Sequence, residues 1–139
     1  MTIAQKILEL AEKYRDYTAE NLSKLVKIKS VSLQEKEVQE EFKRQLEEAE
    51  FDEVFMDGLG NVIGRIGTGD KILAIDGHMD TVDFGNMDNW DFPPLSGEIK
   101  DGFVLGRGSV DQKGGPASAV TSGKIIKELG LAKHLTFYV

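Results

Sequence analysis

Residues 72 to 82 read ILAIDGHMDTV, an apolar run from Ile72 to Ile75 that gives way to a polar loop carrying GHMDTV. In α/β enzymes the end of a strand is where the chemistry is kept. Extended backbone alternates its side chains between two faces, so His78 and Asp80 point the same way if extension persists through them. An imidazole next to a carboxylate suits a metal ligand and its orienter, because a histidine that binds through one nitrogen commonly donates its other N–H to an acid. On this hexapeptide alone a polar strand end without chemistry remains the alternative.

Upstream, apolar residues at Ile3, Ile7, Leu10, Ala11, Tyr14, Thr18, Leu22, Leu25 and Val26 keep helical spacing and predict one long helix over about 3 to 28. Lys29 to Val31 is the break. Ser32 to Glu35 matches a capping box ahead of a second amphipathic helix marked by Val38, Phe42, Leu46 and Ala49. After Phe51 the period changes. Val54 to Met56, Val62 to Ile66 and Ile72 to Ile75 read as short strands separated by DGLGN and GTGD turns, the first two as a hairpin.

Downstream, Asp83 to Pro94 reads as a surface loop, GEIKDGFVLG as another hairpin, and Pro116 to Leu129 as a helix closed by Gly130. LTFYV, residues 135 to 139, has the content of a buried strand, and the chain stops inside it, so the sequence reads as a fragment. Helices, strands, helix and strand together define an α/β domain.

The 139 residues fit one domain, and 40 % hydrophobic with 29 % charged residues is a globular composition. A net charge of −7 without a basic cluster argues against a nucleic-acid partner. With no cysteine, disulfides, thiol nucleophiles and Cys-ligated zinc are excluded, and the chemistry falls to oxygen and nitrogen. The N-terminus carries charges throughout its apolar pattern, unlike a signal peptide or membrane span, and a cytoplasmic location is the expectation.

Asp111 lies 33 positions after His78, inside GRGSVDQKGG, residues 106 to 115, which holds four glycines in ten residues. Such a run before a helix could cradle a phosphate, but it lacks both the Walker spacing and a clean Gly-x-Gly-x-x-Gly. An aspartate in a glycine-bent loop beside a strand-end histidine offers the hard oxygen and borderline nitrogen donors that suit zinc, manganese or cobalt.

Taken together, GHMDTV, NWDFPPLSGEIKDGFVLGRG and GRGSVDQKGG resemble the dinuclear zinc hydrolases related to aminoacylase, acetylornithine deacetylase, succinyl-diaminopimelate desuccinylase and carboxypeptidase G, over about residues 20 to 139. The DNWDFPPL loop resembles a branch linked to selenium metabolism. The resemblance implies a three-layer α/β/α catalytic domain with a mixed sheet, of which residues 1–139 are the N-terminal portion, without the dimerisation domain that makes relatives homodimers. It implies metal-dependent hydrolysis of an amide bond in a peptide or an N-acyl amino acid, with Zn2+, two ions per site, or Co2+ or Mn2+ in their place. It places His78 as a ligand of one metal, Asp80 as the catalytic-site orienter of that imidazole, and Asp111 as the carboxylate bridging both metals, followed by a cis peptide bond to Gln112.

The family's general base and further ligands lie in a Glu-Glu pair and later residues beyond Val139, so this chain is expected to be inactive alone. A non-catalytic module with at most one weak metal site is the alternative for the isolated chain, ahead of a phosphate-binding domain. His134 reads as a surface residue before a strand. Asp83 could line the mouth of a cleft, and Trp90 with Phe92 is expected to pack its loop onto the scaffold. Arg107 and Lys113 are expected to hold the glycine loop by pairing with carboxylates.

Overall fold

The structure, a computed structural model, describes all 139 residues. Its centre is a mixed four-stranded sheet ordered β1-β2-β6-β3, with β1 Glu53–Met56, β2 Val62–Ile66, β3 Lys71–Ala74 and β6 Leu135–Tyr138. β2 pairs antiparallel with β1 and with β6, whereas β3 runs parallel to β6. A separate hairpin joins β4 Glu98–Lys100 to β5 Phe103–Leu105. Four helices accompany them: α1 Ile3–Lys13, α2 Arg15–Val26, α3 Lys36–Glu48 and α4 Gly114–Glu128. The α/β class, the mixed sheet, both hairpins and the helix after the glycine run are as expected. None of these helices is long and apolar enough to cross a membrane.

Strand periodicity decides where the core sits. Val62, Gly64 and Ile66 of β2 are buried on one face, and Phe137 of β6, paired with Ile66, joins them there. Against that face pack Leu25 of α2, Val38, Phe42 and Leu46 of α3, and Ala117, Val120 and Ile126 of α4. On the other face, Phe55 is 42 % and Ile72 is 72 % exposed, so the chain contributes the sheet and the helical layer on one side of it. The hairpin turn between β1 and β2 is built by Asp57, whose Oδ1 accepts the N–H groups of Leu59 and Asn61 at 2.9 Å each.

Three local expectations are corrected. The long N-terminal helix breaks at Tyr14, which leaves helical geometry at φ −95° and ψ 9°. This turn is held from α4, where Glu128 accepts Tyr14 Oη at 2.6 Å and Lys13 Nζ at 2.8 Å. The two halves then face differently: α1 buries no residue despite its apolar stripe, and α2 buries Asn21, Ser23, Leu25 and Val26. Secondly, Ser32 does not cap α3; Glu35 occupies the cap position without a side-chain cap bond. Ser32 instead donates its hydroxyl to a carboxylate from elsewhere in the fold, and Glu35 turns back to accept the Leu33 N–H at 2.8 Å. Thirdly, α4 starts at Gly114, two residues before Pro116.

Gly123 shows how closely α4 lies on the sheet. A Cβ there would overlap the Phe51 ring and approach Ile66 Cδ1 to 2.9 Å. Alanine is favoured over glycine in a helix interior by about 1 kcal/mol, whereas overpacking a core costs about 1–3 kcal/mol. Gly123→Ala is therefore expected to lower stability by up to about 2 kcal/mol in urea denaturation; a gain in stability would show that this contact is loose.

Candidate metal centre

The loop after β3 is not a ladder strand, yet it is held in place from the α2–α3 connector. Thr81 N–H donates to Ser30 O at 2.8 Å, Ser30 Oγ donates to Met79 O at 2.8 Å, and Val31 and Thr81 form an isolated parallel bridge. Ser30 and Met79 are buried, and the residues alternating with Met79 turn outward as period two requires. His78 Nδ1 lies 3.1 Å from both the carbonyl oxygen and Oδ1 of Asp80. The two side chains expected to share a face therefore do.

Asp111 arrives from the glycine run. His78 Nε2 lies 3.1 Å from Asp111 Oδ1, and the Asp111–Gln112 peptide bond is cis. Glycines allow the two loops to approach. Gly77 sits so close to the second loop that a Cβ would meet Gln112 Oε1 at 2.9 Å and Pro116 Cγ at 3.1 Å. Gly108, at φ +86°, would place a Cβ 2.7 Å from Thr81 Cγ2.

The His78 Nε2 and Asp111 Oδ1 separation suits one edge of a metal polyhedron, since two donors each about 2.0–2.1 Å from a tetrahedral ion lie about 3.3 Å apart. Asp80 on the far nitrogen completes the usual support for such a ligand. No cluster of three or more His, Cys, Asp or Glu side chains gathers to hold an ion, so these residues fit part of a coordination shell. His78 and Asp80 line two clefts. One, of about 510 Å³, opens toward Leu33, Lys36 and Asn61, and the other, of about 330 Å³, runs along the glycine loop past Arg107 and Asp111.

Ser32 is the residue that pattern reading missed. Its Oγ donates to Asp80 Oδ2 at 2.6 Å across 48 positions of sequence. This hydroxyl holds the Asp80 carboxyl below the usual carboxylate range; the imidazole acts in the same direction and partial burial opposes both. A Ser-x-x-Glu pattern pointed to a local cap, and nothing within the connector signals a distant acid.

The expectation that Arg107 and Lys113 pair with carboxylates is corrected. Arg107 stacks on Trp90, its guanidinium 4.9 Å from the ring centroid. Lys113, 1 % exposed, donates from Nζ to Leu25 O at 2.9 Å, which also accepts the Ile28 N–H at 3.2 Å, and to Ile28 O at 2.8 Å just past the end of α2. Burial pushes this ammonium down to about 8. Trp90 packs its loop as expected, donating from Nε1 to Phe84 O at 2.9 Å with edge contacts to Phe84 and Phe92. Asp83 pairs with Lys29 at 3.1 Å, and His134 is exposed.

The α/β sheet thus carries a His-Asp pair at a strand end, with a second carboxylate facing the imidazole. Residues 74–139 match peptidase family M20/M25/M40. Protein YgeY of Escherichia coli is 46 % identical over 133 residues, covering 96 % of this chain and 33 % of that protein. A probable succinyl-diaminopimelate desuccinylase of Staphylococcus epidermidis is 38 % identical over 118 residues, covering 83 % of this chain and 29 % of that protein. Among solved structures, the di-peptidase Dug1p from Saccharomyces cerevisiae superposes with a TM-score of 0.80 at 18 % identity, covering 99 % of this chain and 34 % of that one. An M20 family metallo-carboxypeptidase from Sulfolobus solfataricus superposes with a TM-score of 0.76 at 19 % identity over 87 % of this chain and 29 % of that one. The chain belongs to the M20 peptidase and deacylase family of hydrolases, whose enzymes are generally metal-dependent. It spans about a third of the length of the curated relatives it matches.

Lys113→Met should leave Ile28 O without its lysine donor and Leu25 O with the Ile28 N–H alone. Charged hydrogen bonds contribute about 1.5–3 kcal/mol each and release of the desolvated charge offsets part of that. The expected loss is about 1–3 kcal/mol in urea denaturation; unchanged stability would mean that water replaces the ammonium without cost.

Proposed function

We propose that His78 and Asp111 are ligands of a divalent metal, Zn2+ first and Co2+ or Mn2+ as substitutes, with Asp80 as the orienter of His78, in a hydrolase of linear amide bonds in peptides or N-acyl amino acids. The observation that carries this reading is the imidazole of His78 held 3.1 Å from a carboxylate on each side, one on its own loop and one from the glycine run. Membership of the M20 family supports it from the sequence side.

Each residue has a separate task in this reading. Asp80 keeps the imidazole proton on Nδ1 and raises the basicity of Nε2. Asp111 is 86 % exposed along its side chain and touches His78 through Oδ1, which suits a carboxylate shared between two ions. When bound, the metal supplies Lewis acidity that brings water toward neutral pKa and polarises the amide carbonyl. Thr81 and Gly108 set the wall of the adjoining cleft, where an acyl or peptidyl group would lie. Lys113 is turned inward onto carbonyls, which removes the charge that a phosphate-binding loop would present. The same reading takes the whole protein as a cytoplasmic homodimer acting on a small-molecule or peptide substrate. In the same reading the 139-residue chain, with His78 and Asp111 as its ligands, is taken to bind one ion weakly and to lack amide hydrolysis.

Zinc calorimetry on the 139-residue chain tests this. One weak site, abolished by His78→Ala and weakened at least about tenfold by Asp111→Asn, is expected, with no hydrolysis of dipeptides or N-acetyl amino acids. Two tight sites with turnover would overturn the claim of inactivity. Zinc affinity indifferent to both substitutions would overturn the ligand assignment.

A further inference from the structure

Arg107 is the arginine of this chain that has no acid. Arg15, Arg44 and Arg65 each pair with a glutamate, at 2.9, 2.6 and 3.0 Å. The Arg107 guanidinium instead lies 4.9 Å from the Trp90 ring centroid, and its Nε is sealed from water without a hydrogen-bond partner. One face and one edge of this cation have therefore already given up their water. The Nη edge is the part still open, and it has less hydration to shed when an anion arrives.

Both stacking partners are fixed by the backbone. Arg107 N–H donates to Pro94 O at 2.7 Å, and Trp90 Nε1 donates to Phe84 O at 2.9 Å. The acid within reach of the guanidinium field is engaged elsewhere: the Phe84 N–H first, then Lys29, and more weakly Arg107 hold the Asp83 carboxyl below its ordinary range. Asp83 Oδ1 takes the Phe84 N–H at 2.8 Å and Lys29 Nζ at 3.1 Å.

Arg107 also lines the cleft of about 330 Å³ that holds His78 and Asp111. Two acids, Asp80 and Asp111, line it too, and apart from the imidazole Arg107 is the only cationic residue there. An anionic group entering this cleft has one permanent positive charge to meet. A planar fork held flat on an indole matches a planar carboxylate, which it can bind through two parallel N–H bonds.

We infer that Arg107 is a specificity-determining residue of this cleft: its Nη edge receives a free carboxylate of the substrate while the scissile amide lies toward His78 and Asp111. The inference deepens the hydrolase reading and rests on it for the amide; the carboxylate rests on the cleft alone. It narrows the substrate to linear amides that carry an acid, on the acyl or on the amine side, and excludes fully capped ones.

Trp90, the one tryptophan of the chain, lies against the guanidinium and reports what binds it through fluorescence. The metal-free 139-residue chain is titrated at neutral pH and constant ionic strength with N-acetylglycine, whose acid is on the amine side, with N-methylsuccinamate, whose acid is on the acyl side, and with uncharged N-acetylglycinamide. At least one acid should change the emission saturably in the millimolar range, the tighter one marking the side that carries the carboxylate, and the uncharged amide should not. Arg107→Lys, which keeps the charge and loses the fork, should bind that acid at least about threefold more weakly, and Arg107→Gln should lose the response. Because a variant alters the indole surroundings by itself, the proton–nitrogen signals of the Arg107 guanidinium in the wild-type chain give the second reading and should move along the same binding curve. Guanidinium signals that stay put, or equal responses to acids and amide, would sink the inference. If the acid binds as expected while zinc affinity is indifferent to His78→Ala, Arg107 holds carboxylates as inferred and the metal reading falls by itself.

Discussion

The buried ammonium of Lys113 on the carbonyls of Leu25 and Ile28 joins the two halves of the chain at the point where both lead into the site. Asp111 lies two residues before it and α4 begins one residue after it, while the connector carrying Ser30 and Ser32 starts where the Leu25 and Ile28 carbonyls end. A single side chain thereby sets the glycine loop against the end of α2. Taking a positive charge out of water is costly, and burial lowers the lysine pKa accordingly, but two backbone carbonyls at and just past the end of a helix offset part of that cost.

From this anchor the rest of the centre is built by short reach. The connector holds Met79 and Thr81 through backbone and Ser30, and Asp80 through Ser32; Asp80 holds His78; His78 meets Asp111. All but the Asp80–His78 contact join segments remote in sequence, and the imidazole is met on two sides, by Asp80 and by Asp111. Rigid neighbours of this kind are what a ligand needs if its geometry is to be in place before an ion arrives.

The strands and the His78, Asp80 and Asp111 triad were legible because their signals are local or periodic: alternation along a strand, turn residues at Asp57 and Gly60, glycines flanking an acid. What escaped reading has its cause elsewhere in the chain. Ser32 satisfies a capping pattern, and only the folded arrangement offers it a carboxylate. Lys113 bonds backbone carbonyls, which carry no sequence signature. The break at Tyr14 is held by Glu128, and the helical period runs unbroken through it. In α1 the period is right and the burial is not, since an apolar stripe shows that a face is amphipathic without showing what lies opposite.

Strand order has a consequence for the order of synthesis. β6 sits between β2 and β3, so its partners are made first and wait some seventy residues for it. Until residues 135 to 138 pair with it, β3 has no neighbour and leaves the backbone groups on both its edges open to another chain. The sheet therefore forms only when strands remote in sequence are brought together, with β6 as the piece that joins β3 to the β1–β2 hairpin.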